Sequence, residues 1–200
     1  MRLKNWIIIG SACSTLAIMQ APAHGVEAAA VPSSKHTTAG RYLDAREAYA
    51  LKQKLGGKAF FVDVRTRYEV TYVGMPTVAD ANVPYAEHPD GAPWDDKAGR
   101  FKMELNGEFV PELARRMAGK GLGKDDVVIV ICRSGERSAR ATNLLTQAGY
   151  GAVYSVVDGF EGDVATSGPK QGQRVVNGWK NADLPWTYKL DKDRMTTTTP

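Results

Sequence analysis

Cys132 follows an unbroken run of branched aliphatic residues, Val127-Val128-Ile129-Val130-Ile131, and opens the stretch Cys132-Arg-Ser-Gly-Glu-Arg-Ser138. Beyond that stretch, Ala141, Leu144, Leu145 and Ala148 fall at i, i+3, i+4 and i+7 and are closed by Gly149, which is helical spacing. The order is therefore buried strand, tight loop, helix. In an open parallel α/β sheet the ligand site lies at the carboxyl ends of the strands. A loop closing on a helix N-terminus aims backbone N–H groups at its own centre, and the helix dipole adds positive potential there. Arg133 and Arg137 add formal positive charge, and Gly135 permits the curvature such a cradle needs. A thiol in this setting is favoured as the thiolate, the form that acts as a nucleophile. The competing reading, a small buried hydrophobe ending a strand, requires apolar surroundings that these arginines do not supply.

The chain has 200 residues and two cysteines, Cys13 and Cys132. Arg2 and Lys4 precede an uncharged stretch from Trp6 to Met19, and Ala21-Pro22-Ala23 has the A-x-A form of a cleavage site. We read residues 1–23 as a signal peptide and expect a periplasmic or secreted protein with no membrane attachment after cleavage. Gly10-Ser11-Ala12-Cys13 weakly resembles a lipoprotein box, but the apolar stretch before it is very short. Cleavage leaves Cys132 as the sole thiol. In an oxidising compartment it has no internal disulfide partner, so it is retained either as an inert buried side chain or for its reactivity. The formal charge of +4 falls to +2 with the leader, which holds two cations and no acid; nucleic acid is not an expected partner. One mature cysteine and three histidines without a shared spacing assemble no metal set, and no cofactor is expected.

A chain of this length accommodates one sizeable core. Residues 24–37, rich in Ala, Pro, Ser and Thr, read as a flexible linker, 38–165 as the folded domain and 166–200 as a C-terminal extension. Asp44-Ala-Arg-Glu47 has the form of a capping box and starts a first helix with Ala48, Leu51 and Leu55, stopped by Gly56-Gly57. Ala59-Phe-Phe-Val-Asp63 suits a buried strand. The segment from Thr71 to Tyr85 reads as mostly loop with one short strand, and Glu87 to Gly107 as a surface excursion of unreadable purpose. Pro111 opens a second helix with Leu113, Ala114 and Met117 on one face, ended by Gly119 and Gly121; Ala152 to Val157 gives a further strand. Trp179, Trp186 and Tyr188 in the tail are expected to pack back on the domain, although they could also form a partner patch. Strands alternating with helices predict an α/β domain, an open parallel sheet covered by helices on both faces.

At this point the sequence resembles the rhodanese family. The resemblance rests on Asp63-Val64-Arg65 after a strand, on Ala81-Asn82-Val83-Pro84, on Asp158-Gly159-Phe160, and above all on Cys132-Arg-Ser-Gly-Glu-Arg-Ser138 between strand and helix. It implies a rhodanese-like fold and a persulfide cycle. Cys132 would take sulfane sulfur from thiosulfate or a similar small donor, release sulfite, and pass the sulfur to cyanide or a thiol acceptor. Cys132 is then the nucleophile, and the amides of Arg133, Ser134, Gly135, Glu136, Arg137 and Ser138 hold the persulfide anion without a histidine base. Arg133 is the expected contact to the anionic donor, with Arg65 ranked below it. The resemblance also suggests that Arg137 turns inward and pairs with Asp63, a partner that a buried charge requires. The excursion and the tail depart from the family pattern and leave the substrate open.

A phosphatase or arsenate reductase is the rival enzyme, since both present cysteine in an anion cradle. Those phosphatases use C-x5-R, whereas Arg137 gives C-x4-R here and Ser138 holds the later position. A rival of another class is a persulfide carrier or binding protein that serves an exported protein acceptor without turnover.

Overall fold

The computed structural model describes residues 25–197. The segment read as a signal peptide, with Cys13 and Ala21-Pro22-Ala23, lies outside the described residues. Strand β1 (Tyr42–Leu43) leads into helix α1 (Ala45–Leu55). Asp44 caps that helix as expected: its carboxylate accepts the Glu47 N–H at 2.7 Å, and the Glu47 carboxylate accepts the Asp44 N–H at 2.9 Å. Strand β2 (Ala59–Asp63) follows and is buried throughout. A second capping box, between Thr66 and Glu69, then starts helix α2 (Arg67–Val73), whose last three residues lie inside the stretch read as mostly loop. The β-branched and aromatic residues of α2 disfavour a helix, and the cap with its packing overrides them.

After α2 come the two-residue strands β3 (Met75–Pro76) and β4 (Ala81–Asn82). The excursion is ordered by four more: β5 (Ala86–Glu87), β6 (Trp94–Asp95), β7 (Arg100–Phe101) and β8 (Glu104–Leu105). β5 pairs with β8 and β6 with β7, both antiparallel, so the excursion folds back on itself as two nested ladders. Helix α3 (Phe109–Ala118) buries Phe109, Leu113 and Met117; Ala114 faces out, and Glu112 turns in on salt bridges from Arg115 and Arg116. Strand β9 (Val127–Ile131), helix α4 (Glu136–Gln147), strand β10 (Ala152–Val156) and strand β11 (Trp186–Thr187) complete the order.

The main sheet has the order β1-β10-β9-β2-β4 and is parallel throughout. Its central strand is β9, and Asp63 of β2 stands level with Ile131 of β9. Successive strand residues point to opposite faces, and the two cores divide accordingly. Phe60, Val62, Val128 and Val130 meet α3 and α4 on one face. Phe61, Ile129 and Ile131 meet Ala45 and Ala48 of α1 and Val70 of α2 on the other. This is the expected α/β architecture.

Two flanking segments pack against this domain. Residues 25–37, read as a flexible linker, lie on the domain: Val31 is buried, and Lys35 donates to both carboxylate oxygens of Asp163 at 2.7 and 2.8 Å. Hydrogen bonds and one ion pair hold this segment, which is why it shows no apolar period. The C-terminal extension packs back on the domain through its tryptophans, as expected. Trp179 is fully buried and stands edge-on to Phe61 and Tyr49, with ring centroids 5.5 and 5.7 Å away. Its indole N–H donates to the Pro185 carbonyl at 3.0 Å, and Trp186 on β11 pairs with Pro76 on β3.

Candidate functional site

Cys132 sits one residue beyond the central strand and is 1% exposed. Its Sγ accepts the Gly135 N–H at 3.2 Å and lies 3.5 Å from the Ser138 hydroxyl. That hydroxyl also faces the carbonyls of Gly135 at 2.9 Å and Val156 at 3.2 Å, which compete for its proton. Gly135 caps α4 with φ of 101°, a region open to glycine. A Cβ there would stand 2.1 Å from the Val157 carbonyl oxygen. The sulfur therefore rests on the inside of a tight turn at the N-terminus of α4, where an amide and the helix dipole favour an anion.

The segment after β10 holds this turn from below. Phe160 N–H donates to the Cys132 carbonyl at 2.8 Å, and Glu161 N–H to the Arg133 carbonyl at 2.9 Å. Gly159, the middle of Asp158-Gly159-Phe160, passes so close that a Cβ would reach the Ser134 nitrogen at 2.5 Å. Asp158 has one carboxylate oxygen on the Gly178 N–H at 3.2 Å and the other without a partner. Burial pushes its carboxyl up to about 6 against the backbone N–H of Ala45, and the neighbouring Asp44 pushes the same way.

The expected pairing of Asp63 with Arg137 is not what the fold makes. Asp63 binds Arg65 instead, through guanidinium contacts of 3.0 and 2.6 Å and the Arg65 N–H at 3.1 Å, with both side chains fully buried. Arg65 also donates to the Gly74 carbonyl at 2.7 Å and stacks 4.0 Å from the Phe160 ring centroid. Strand alternation explains this: Asp63 shares the Phe61 face, on the α1/α2 side, and two residues on Arg65 returns to that side. Arg65 is thereby removed from the expected donor-binding set, because it is sealed in the core.

Arg137 does turn inward, but toward α2. It grips Glu69 with two bonds of 2.6 and 2.5 Å across the carboxyl edge of the sheet. Burial pushes the Glu69 carboxyl up, yet the Arg137 guanidinium overrides it and holds the group down at about 2. For Arg137 burial acts downward and Glu69 prevails, so its proton is held more tightly than usual. Glu69 escaped the sequence reading; its signal was the T-x-x-E cap from Thr66 to Glu69.

Above the sulfur lies a cavity of about 310 Å³ lined by Cys132, Arg133, Ser134, Glu136 and Arg137. The excursion supplies the opposite wall with Arg100, Lys102 and Leu105, and Tyr85 and Arg140 close the side. The wall is anchored: Asn106 donates to the Pro84 carbonyl at 2.9 Å, and Glu87 accepts the Arg67 N–H at 3.1 Å. Arg133 is half-buried, with its Nε enclosed and unpartnered. Glu136 is exposed, while Gly135 and Ser138 are buried in the turn and Ser134 is half-buried. Of the expected site, Cys132, Arg133, Ser134, Gly135, Glu136, Arg137 and Ser138 come together; Asp63 and Arg65 form the floor beneath. Arg100, Lys102 and Arg140 were not foreseen.

The family model of the rhodanese-like domain matches residues 44–166. The uncharacterized protein RC0915 of Rickettsia conorii is 32% identical over 130 residues, 65% of this chain and 84% of that protein. The uncharacterized protein RP600 of Rickettsia prowazekii is 31% identical over 134 residues, 67% of this chain and 87% of that protein. The crystal structure of Rv0390 from M. tuberculosis is similar with a TM-score of 0.55 at 29% identity, covering 74% of this chain and 97% of that one. With the thiol turn at the centre of its parallel sheet and the match running from the cap of α1 to beyond β10, this chain belongs to the rhodanese-like domain family, which is of sulfurtransferase type.

Proposed function

We propose that the protein is a thiosulfate sulfurtransferase acting through a persulfide on Cys132. The observation that carries the reading is the placement of Sγ, 3.2 Å from the Gly135 amide inside a turn that ends on a helix N-terminus. The Cys132 thiolate attacks the outer sulfur of thiosulfate, the S–S bond of the donor breaks, and sulfite leaves with the electron pair. The resulting Cys132 persulfide anion is stabilised by the turn amides and the dipole of α4. Cyanide or a thiolate then attacks the outer sulfur and returns the electron pair to Sγ. Neither transfer step moves a proton, because each is an attack by an anion on sulfur and each leaving group departs as an anion.

The geometry disfavours phosphoryl chemistry. A C-x5-R loop turns its arginine onto the bound oxyanion, whereas Arg137 is engaged by Glu69 and the later position is Ser138. Thiosulfate should add one sulfur, a mass gain of about 32 Da, and cyanide should remove it as thiocyanate. Cys132→Ser should keep the fold and lose both steps, since a hydroxyl stays protonated and holds no transferable sulfur. Thiocyanate formation by the serine variant, or phosphate-ester hydrolysis by the wild type, would overturn the reading. Slow transfer from a stoichiometrically loaded protein would indicate a carrier.

We also propose export, on the strength of Arg2, Lys4, the uncharged run and Ala21-Pro22-Ala23. N-terminal sequencing of the protein from cells checks this; a cytoplasmic form that keeps Met1 would refute it.

A further inference from the structure

The cavity above Cys132 is larger and more cationic than a small sulfur donor requires. Its volume of about 310 Å³ equals roughly ten waters at about 30 Å³ each, and a five-atom oxyanion occupies only the end next to the sulfur. At the other end stand Arg100 and Lys102 from the excursion and Arg140 from α4. Arg140 lies one turn beyond Arg137 on the same side of the helix and is close enough to Tyr85 to oppose the rise that burial gives its phenol. Among the described residues, none of Arg100, Lys102, Arg133 and Arg140 lies within ion-pair distance of a carboxylate. Arg137 is neutralised by Glu69. Two acids, Asp95 and Glu136, also line the cavity, so four unpaired cations face two carboxylates and the wall stays positive. Arg100, Lys102 and Arg140 are exposed and Arg133 is half-buried, so together they give the open mouth of the cavity a positive potential that draws anions toward the sulfur.

We propose that Arg100, Lys102 and Arg140 form an acceptor subsite for small thiols bearing carboxylates, which receive the sulfur from Cys132. This rests on the persulfide reading above. The donor anion is met next to the sulfur, by the turn amides and Arg133, and leaves as sulfite before the acceptor arrives. The acceptor thiolate attacks the outer sulfur of the persulfide; the new S–S bond forms as the bond to Sγ breaks, and Sγ regains its electron pair. The products are a small-molecule persulfide and the free Cys132 thiolate, with the thiol proton released to water. Cys132 is 1% exposed, so its sulfur is reached through this cavity, whose size is at the small-molecule end of ligand sites, about 300 to 1,000 Å³.

The test separates the two half-reactions. Protein loaded with thiosulfate and freed of excess donor is mixed with mercaptosuccinate, 3-mercaptopropionate or 2-mercaptoethanol, and loss of the persulfide is followed by mass, with rates corrected for thiolate fraction. The dicarboxylate should react at least about tenfold faster than the neutral thiol at low concentration, and roughly 0.5 M salt should erase most of that preference. Arg100→Ala/Lys102→Ala/Arg140→Ala should raise half-saturation for mercaptosuccinate with little change in its limiting rate, and Arg140→Lys should retain most of the preference. Equal rates for the three thiols, a preference that survives the triple substitution, or a preference insensitive to salt in the wild type would overturn the inference. So would an equal rise in half-saturation for thiosulfate loading, which would assign the cations to the donor. Uniformly slow transfer to all three thiols would point to a protein acceptor instead. A wild type that fails to load sulfur sinks the proposed function itself, and the subsite with it.

Discussion

Arg137, in the first turn of α4, and Glu69, in the first turn of α2, face each other through two parallel bonds of 2.6 and 2.5 Å. The same Glu69 carboxylate accepts the Thr66 N–H at 2.9 Å, so one side chain caps a helix and fastens the thiol turn. The two helices lie on opposite faces of the sheet, and the ion pair joins them over its carboxyl edge.

Glu69→Gln should weaken the protein at neutral pH. A carboxyl lowered from 4.5 to about 2 by folding contributes roughly 3 kcal/mol. Because the folded group is the stronger acid, that contribution is present above 4.5 and is lost as pH falls toward 2. Thermal melts should show a difference between wild type and variant that is largest near pH 7 and shrinks below 4.5. A difference independent of pH would contradict this assignment.

Asp63→Ala should cost about 3 to 5 kcal/mol, because it leaves the Arg65 guanidinium buried without its counter-charge. Arg133→Ala, at the half-open mouth, should cost far less. Joining Asp63→Ala with Arg65→Met should be less damaging than the sum of the two single changes, since the second removes the stranded charge. Urea unfolding gives all these quantities; additive losses would deny the pair.

Asp158 has the opposite pH sign. Its carboxyl rises from 3.8 to about 6 on folding, so the folded state binds the proton more tightly. Stability should decline as pH climbs from 3.8 to 6 and then level, by up to roughly 3 kcal/mol from this group. Asp158→Asn lacks that decline, so its stability relative to wild type should improve between pH 4 and pH 6.5, by about the same amount. Parallel stability curves for the two proteins would count against the buried, proton-binding Asp158.

Asp44 with Glu47, the β9 run and the Cys132-to-Ser138 loop were legible because each is closed by residues within a few positions of one another. Glu69 was not, although its cap is just as local, because the short α2 is rich in residues of low helical propensity. Ala114 and Leu144, placed inside by spacing, face outward, since helical period fixes which residues share a face but not where that face ends.

By itself the sequence determined the strand, turn and helix that hold Cys132, the cap of α1 and the parallel α/β plan, all of which follow from short-range periodicity and backbone conformation. Only the tertiary structure decided the charge partners and the far wall of the site. Asp63 goes to Arg65 and Arg137 to Glu69 because strand alternation and sheet order set which buried charges can meet. Lys35 finds Asp163 across 128 positions, Trp179 fills the α1/α2 face, and Arg100 and Lys102 come to stand over the thiol. Such contacts join residues far apart in the chain, where composition and spacing carry no record of the partner.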